Sequence, residues 1–229
     1  DKFKDSKIYI ADGHHRYEAG LRYISNIRST REIGFNESIN YRMIQLISMS
    51  EPGLITRSYH RYIKLNKSEI DNYSQKILSD KNTFKYEADL SILNYTNLEK
   101  YYKFICDYKD FDSNSFGIII KEGENLKTLI YSQTNTSKNN NDYTFLHERY
   151  FQENLELIKE ENILFETDLN EIIKLLNREE NLIILLMRPI PMENFLSAVD
   201  SGYRLPPKVT NFLPKPPAGL VFQTLEGDI

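Results

Sequence analysis

Residues 7–29 read KIYIADGHHRYEAGLRYISNIRS. In Lys7–Ala11, Ile8 and Ile10 alternate about Tyr9, the period-two pattern of a short strand. Asp12-Gly13 breaks that pattern, and from His14 the spacing changes. Tyr17, Leu21, Ile24 and Ile27 recur at helical intervals, with Gly20 on the same side. The stretch therefore predicts a strand, a tight turn and a helix. The first N–H groups of a helix have no internal partners and lie at the positive end of its dipole. A turn of this kind is suited to a phosphate or a carboxylate.

Working outward, Tyr41–Met49 is an apolar, strand-like run, Glu51-Pro52-Gly53 a turn, and Ser58–Leu65 a further strand. Helices are predicted over Glu69–Leu78 and Asn97–Asp107, with a strand over Thr83–Glu87 between them. Phe116–Lys121 and Leu126–Ser132 form a predicted hairpin across Glu122–Asn125, and Asn135–Asp142 reads as a polar, solvated connection. Phe145–Ile158 is amphipathic, and Ile163–Glu166 is a short strand. Asp168 is a suitable N-cap for a helix reaching Asn177. Leu182–Met187 reads as a buried strand, Pro191 as a first helical position and Gly202 as a C-cap. A proline-rich segment, Leu205–Gly219, follows. Without strict βαβ alternation the class is α+β, a mixed α/β arrangement. The expected division is residues 1–65, carrying the anion-binding turn, and residues 66–229, a mixed region ending in the proline-rich segment.

Composition narrows the function. The chain has 229 residues, with 29 Lys and Arg against 33 Asp and Glu, a net charge of −4. That balance does not favour non-specific coating of nucleic acid. One cysteine, Cys106, excludes an internal disulfide framework and a multi-cysteine zinc site. Its apolar helical surroundings predict buried packing. The longest apolar run, Leu182–Met187, is far short of the roughly 20 residues a membrane helix needs, and no signal sequence opens the chain. The expectation is a cytoplasmic protein with no membrane partner. The four histidines are His14, His15, His60 and His147, without zinc-binding spacing, so no transition metal is expected. A Gly-x-Ser-x-Gly elbow, a P-loop and a Gly-x-Gly-x-x-Gly loop are all lacking.

The strongest chemical constellation is Asp12-Gly13-His14-His15-Arg16. Arg16 offers a planar, permanently charged fork for phosphate oxygens. His14 and His15 are the candidates for hydrogen-bond donation or proton transfer near neutral pH. Asp12 could cap the helix or hold the Mg²⁺ that accompanies phosphates. The plainer reading, a capping Asp12 beside surface histidines, has about equal weight. A second candidate is His60-Arg61. On a strand these two side chains point to opposite faces, so only one can face a ligand, and an exposed edge pair is the alternative. The third is Leu205–Lys215, where Lys208, Thr210 and Lys215 lie among prolines. It reads as a cationic loop over an anion or, preferred on composition, a strap packing Phe212 and Leu213 on the core.

Ile10-Ala11-Asp12-Gly13-His14-His15-Arg16-Tyr17-Glu18 resembles the hallmark of a prokaryotic family catalogued as domain of unknown function 1015. Met49-Ser50-Glu51-Pro52-Gly53-Leu54 followed by His60-Arg61 is similar to a second block of that family. Leu205–Lys215 with Gly219-Leu220-Val221 is similar to a third. This chain departs from the family pattern at Leu205 for Met, Val209 for Ser and Asn211 for an aromatic residue. The Asp-Gly-His-His-Arg turn in turn resembles that of free-serine kinases of the ParB/sulfiredoxin-like fold. The resemblance implies a ParB/sulfiredoxin-like element at the N-terminus merged with a mixed-sheet C-terminal region. It implies ADP or ATP with Mg²⁺ held at Asp12, Gly13, His14, His15 and Arg16, and phosphoryl transfer to a small hydroxylated metabolite. His60, Arg61, Lys208, Thr210 and Lys215 become second-tier residues. It further implies that the chain is a C-terminal portion, with the catalytic carboxylate in a preceding segment and little activity of its own. A non-catalytic nucleotide-binding or regulatory module is the alternative, and hydrolysis by a histidine-held metal a weaker one.

Overall fold

The computed structural model describes residues 3–86, 94–108, 113–134, 141–155, 158–203, 205–217 and 219–229. They form two compact units, Asp1–Ile55 with Phe212–Ile229, and Thr56–Asn211. The units do not follow the 1–65 and 66–229 division expected from sequence. Thr56–Leu65 belongs to the second unit, and the last residues of the chain return to the first.

In the first unit, helix α1 (His14–Arg28) forms where the 3.6-residue spacing places it. Lys7–Ala11 and Tyr41–Met49, expected as strands, are not strands. Alternation fits a segment for a sheet, but a strand exists only where a neighbouring chain takes its hydrogen bonds. No residue of α1 is buried, and Tyr17 and Leu21 of its apolar stripe are exposed. The unit is held by polar clasps instead. Arg42 donates to the carbonyls of Gly20 (3.0 Å) and Ile39 (2.8 Å). The chain end closes on residues 36–41: Ile229 N–H donates to Asn36 O (2.8 Å), and Ser38 N–H to Gly227 O (2.8 Å).

The second unit is built on a six-stranded sheet. Its strands are β2 (His60–Lys64), β3 (Thr83–Lys85), β4 (Ser113–Glu122), β5 (Asn125–Thr134), β6 (Leu164–Glu166) and β7 (Asn181–Met187). Their order is β3-β5-β4-β7-β2-β6, and every pairing is antiparallel. The class is therefore α+β, as expected. The short strands β1 (Ile55–Arg57) and β8 (Asn211–Leu213) pair as a separate two-stranded sheet.

Alternation along β4 and β7 sends apolar side chains to both faces, because helices cover both. On one face Ile119, Leu182, Ile184 and Leu186 pack with Leu98, Tyr101 and Ile105 of α3 (Tyr95–Asp107). Ile172, Leu175 and Leu176 of α6 (Leu169–Arg178) join them. On the other, Phe116 and Tyr131 stack at 5.0 Å and meet Tyr150 and Phe145 edge-on or stacked. Here α4 (Asp142–Phe145) runs through a π turn at Leu146–Tyr150 into α5 (Phe151–Asn154). Helix α2 (Lys67–Ser79) covers the same sheet with Ile70, Tyr73 and Ile77 buried.

Local chemistry explains the element ends. Asn66 and Glu69 form a capping box on α2. Asn94 and Asp168 cap α3 and α6 through their side-chain oxygens. Gly123, at φ 58°, makes the tight β4–β5 turn. Helix α7 (Met192–Asp200) ends at Gly202 in a Schellman arrangement: Tyr203 N–H donates to Ala198 O, and Gly202 N–H to Val199 O. Pro191 is the N-cap rather than the first helical residue. Asp142, expected to end a polar loop, instead begins α4; residues 135–140 of that expectation lie outside the described residues, as does Glu87. Cys106, expected as packing, is exposed, because α3 turns Leu98, Tyr101 and Ile105 inward and residue 106 lies about 100° further round.

Candidate functional site

In the first unit the decisive residue is Gly13. It is the N-cap of α1 at φ 81° and ψ 23°, a left-handed conformation, and no side chain caps the helix. Asp12 is therefore not the cap that the plainer reading supposed. The first-turn N–H groups, including those of His14, His15 and Arg16, are left without a side-chain acceptor from the cap. The guanidinium of Arg16 folds back over the turn. A Cβ at position 13 would lie 3.0 Å from its Nη2 and 3.2 Å from its Nε. Arg16 Nη2 is 3.8 Å from Asp12 Oδ2, and Lys215 Nζ is 3.5 Å from Asp12 Oδ1. The structure thus brings together Asp12, Gly13, Arg16 and Lys215. His14 and His15 are exposed, His15 Nδ1 lying 4.0 Å from Glu18 Oε2. Arg16 remains 76% exposed, so its charge is open to a ligand.

His60, Arg61, Lys208 and Thr210 lie in the second unit. His60 and Arg61 are on β2, which is flanked by β7 and β6, so the exposed edge pair is overturned. His60 is 2% exposed and Arg61 0%. The strand sends them to opposite faces, as alternation requires. His60 meets the ring of Tyr102 on α3 edge-on, and its Nδ1 accepts the N–H of Met187 (3.1 Å). Burial and the neighbouring Arg61 push its pKa down to about 3. Its proton therefore sits on Nε2 in the neutral ring. Arg61 lies 4.8 Å from the Tyr143 ring centroid and 5.2 Å from that of Phe165. Its Nη1 donates to Tyr59 O (2.5 Å), and its Nη2 to Pro207 O (3.1 Å) and His147 Nε2 (3.3 Å).

Burial lowers the Arg61 pKa to about 10, and burial with the Arg61 charge lowers that of His147 to about 4. Lys208, at φ 58°, carries its ammonium 5.1 Å from the Tyr59 ring centroid. Thr210 is half-buried, Phe212 buried and Leu213 half-buried, so the proline-rich strap packs its apolar residues inward. His147, Tyr143 and Phe165 were not legible as partners of Arg61. The only sign was the placing of His147 on an amphipathic stretch. Among the described residues no three or more His, Cys, Asp or Glu side chains are grouped to hold a metal ion.

Residues 1–147 match the family described as protein of unknown function, DUF1015. The chain belongs to this family. The DUF1015 match takes in the Asp12–Arg16 turn, the Met49–Leu54 block and His60-Arg61, and it ends before the proline-rich block. No curated protein and no solved structure matches the chain. Among the described residues no helix is long and apolar enough to cross a membrane. Since the description of DUF1015 states no activity, function rests on the site's own chemistry.

Proposed function

We propose that this DUF1015 chain is the phosphate-binding part of a nucleotide-dependent phosphotransferase acting on a small hydroxylated metabolite. ADP or ATP is held at the Asp12–Arg16 turn of a ParB/sulfiredoxin-like element. One observation carries the reading: the α1 N-terminus has a left-handed glycine in place of a capping side chain, with the Arg16 guanidinium laid over it. Phosphoryl transfer needs mainly positioning and charge neutralisation. The N–H groups at the start of α1 point at phosphate oxygens without an internal competitor. Arg16 supplies a fork for two of those oxygens, and Lys215 a second positive charge. Asp12, exposed and beside both cations, is the residue here that would hold Mg²⁺, which neutralises phosphate charge when bound. His14 and His15, both open to solvent, are the candidates for proton transfer at the metabolite hydroxyl.

The test is thermal stability with ADP and ATP, with and without Mg²⁺, in the parent chain and in Arg16→Ala. Nucleotide raises the melting temperature of the parent, as a ligand bound only to the folded state must. The rise disappears in Arg16→Ala, whose exposed side chain is dispensable for folding. Equal rises in both proteins would sink the reading.

A further inference from the structure

Two arginines of the second unit, Arg188 and Arg61, lie in contrasting surroundings. Arg188 is neutralised: Nε donates to Asp142 Oδ2 (2.8 Å) and Nη2 to Asp142 Oδ1 (2.9 Å), a bidentate pair. Arg61 is more deeply buried and has no such partner. Among the described residues no carboxylate lies within ion-pair distance of it, and its acceptors are two backbone carbonyls and a neutral imidazole. Its Nε, also buried, has no hydrogen-bond partner among the described residues. A buried charge answered only by neutral dipoles is costly unless an opposite charge joins it. A buried polar atom without a partner calls for a specific cause.

The groups around Arg61 supply the rest of a site. An arginine only donates, so His147 Nε2 is the acceptor of their bond, and the imidazole proton lies on Nδ1, on the side of the ring away from Arg61. Pro207 O occupies one arm of the guanidinium, and the next residue, Lys208, brings a positive charge to the Tyr59 ring. Tyr59 in turn holds the other arm of Arg61 through its carbonyl. Lys208 has a left-handed backbone, uncommon for a residue with a side chain and often found at ligand clamps.

We propose that Arg61, Lys208 and His147 form a second oxyanion site in this chain, one that takes a dianionic phosphate group in place of the Pro207 carbonyl. The Pro206–Lys208 strap covers the guanidinium until the phosphate arrives. Lys208 then moves with the strap and pairs with the same phosphate. Two positive charges match a dianion better than a single carboxylate, and His147, accepting from Nη2, holds the guanidinium in place. The proposal stands on the second unit alone and does not depend on the nucleotide reading of the Asp12–Arg16 turn.

The test uses the whole chain and inorganic phosphate at pH 8, where it is dianionic, with acetate and chloride at matched ionic strength. Melting temperature and titration calorimetry are read for the parent, Arg16→Ala, Lys208→Asn and Arg61→Lys. Asn tolerates the left-handed backbone of position 208, so that variant removes charge without adding strain. Phosphate is expected to raise the melting temperature of the parent and of Arg16→Ala by a few degrees over chloride. Lys208→Asn weakens phosphate binding ~10-fold or more, and Arg61→Lys, which keeps charge but loses the fork, weakens it as well. If Arg61→Lys fails to fold, Lys208→Asn still decides. The proposal is overturned if phosphate does not bind, if Arg16→Ala abolishes binding, if Lys208→Asn binds like the parent, or if acetate binds as tightly as phosphate. Loss of the nucleotide effect alone in Arg16→Ala would concern the first site and leave this one standing.

Discussion

Lys215 and Asp12, near opposite ends of the chain, are ion-paired at 3.5 Å in the first unit, on the same carboxylate that lies 3.8 Å from Arg16. Asp12 therefore offsets two cations at the start of α1. Asp12→Asn is expected to raise affinity for inorganic phosphate a few-fold at low salt, with the gain fading as ionic strength rises. The Mg²⁺-dependent part of any nucleotide stabilisation is lost in the same variant. Calorimetry at two salt concentrations, in a Lys208→Asn background where the second phosphate site is weakened, checks both effects. Unchanged phosphate affinity would remove Asp12 from the site.

Gly117 on β4 sits beneath α3. A Cβ there would lie 2.1 Å from Ile105 Cδ1 and 3.0 Å from the Tyr101 hydroxyl. That hydroxyl donates to Leu129 O (2.5 Å), and Ile118 N–H approaches it at 3.2 Å. Gly117→Ala thus overpacks a face that cannot yield without disturbing a buried hydrogen bond. The expected loss is about 2 kcal/mol, read by urea unfolding. Gly117→Ala as stable as the parent would show that α3 can shift freely.

His60 is buried as the neutral ring, with a folded pKa of about 3 against an ordinary value of 6.5. Since the folded value is depressed, its contribution is fully present above pH 6.5 and is lost as pH falls from there toward 3. The unfolded chain takes up the proton that the folded one refuses, at a total cost of roughly 5 kcal/mol. His60→Asn keeps an acceptor for the Met187 N–H and removes the titration. Its unfolding free energy is expected to fall less steeply than the parent's between pH 6.5 and 4. Parallel acid profiles would show that other groups govern the acid limb.

Arg188 and Asp142 are 19% and 11% exposed at their side chains. Arg188 also donates to Ser113 O (3.1 Å) and Tyr108 O (3.3 Å), tying α4 to the start of β4 and the end of α3. Asp142→Asn leaves that guanidinium without a counter-charge and is expected to cost about 3 kcal/mol. Removing both partners together should cost less than Asp142→Asn alone, which a double-mutant cycle measures. Additive losses would mean the pair does not act as a unit.

Features encoded by neighbours in sequence were legible in advance. The Asp168 cap, the hairpin around Gly123 and the left-handed stop at Gly202 each follow from a few adjacent residues. The Asp12–Arg16 turn was legible for the same reason, although the structure gives the cap position to Gly13. Features that depend on distant pairing were not. Lys7–Ala11 has the alternation of a strand but does not form one. Arg61 is buried because β2 lies between β7 and β6, and it meets His147 across 86 positions of sequence. No local pattern distinguishes that arginine from a surface one. Cys106 shows how small the margin is: one helical step separates it from buried Ile105.

The long strands of the second unit, β4 and β5 at ten residues each, lie inside the sheet, while its margins are β3 and β6, three residues each. A free strand margin is where one chain can template another, and short margins offer few unpaired N–H and C=O groups for that growth. The order of strands thus resists edge-to-edge aggregation: the most apolar segments of the chain, β4 and β7, are neighbours in the middle of the sheet, shielded from strangers on both sides.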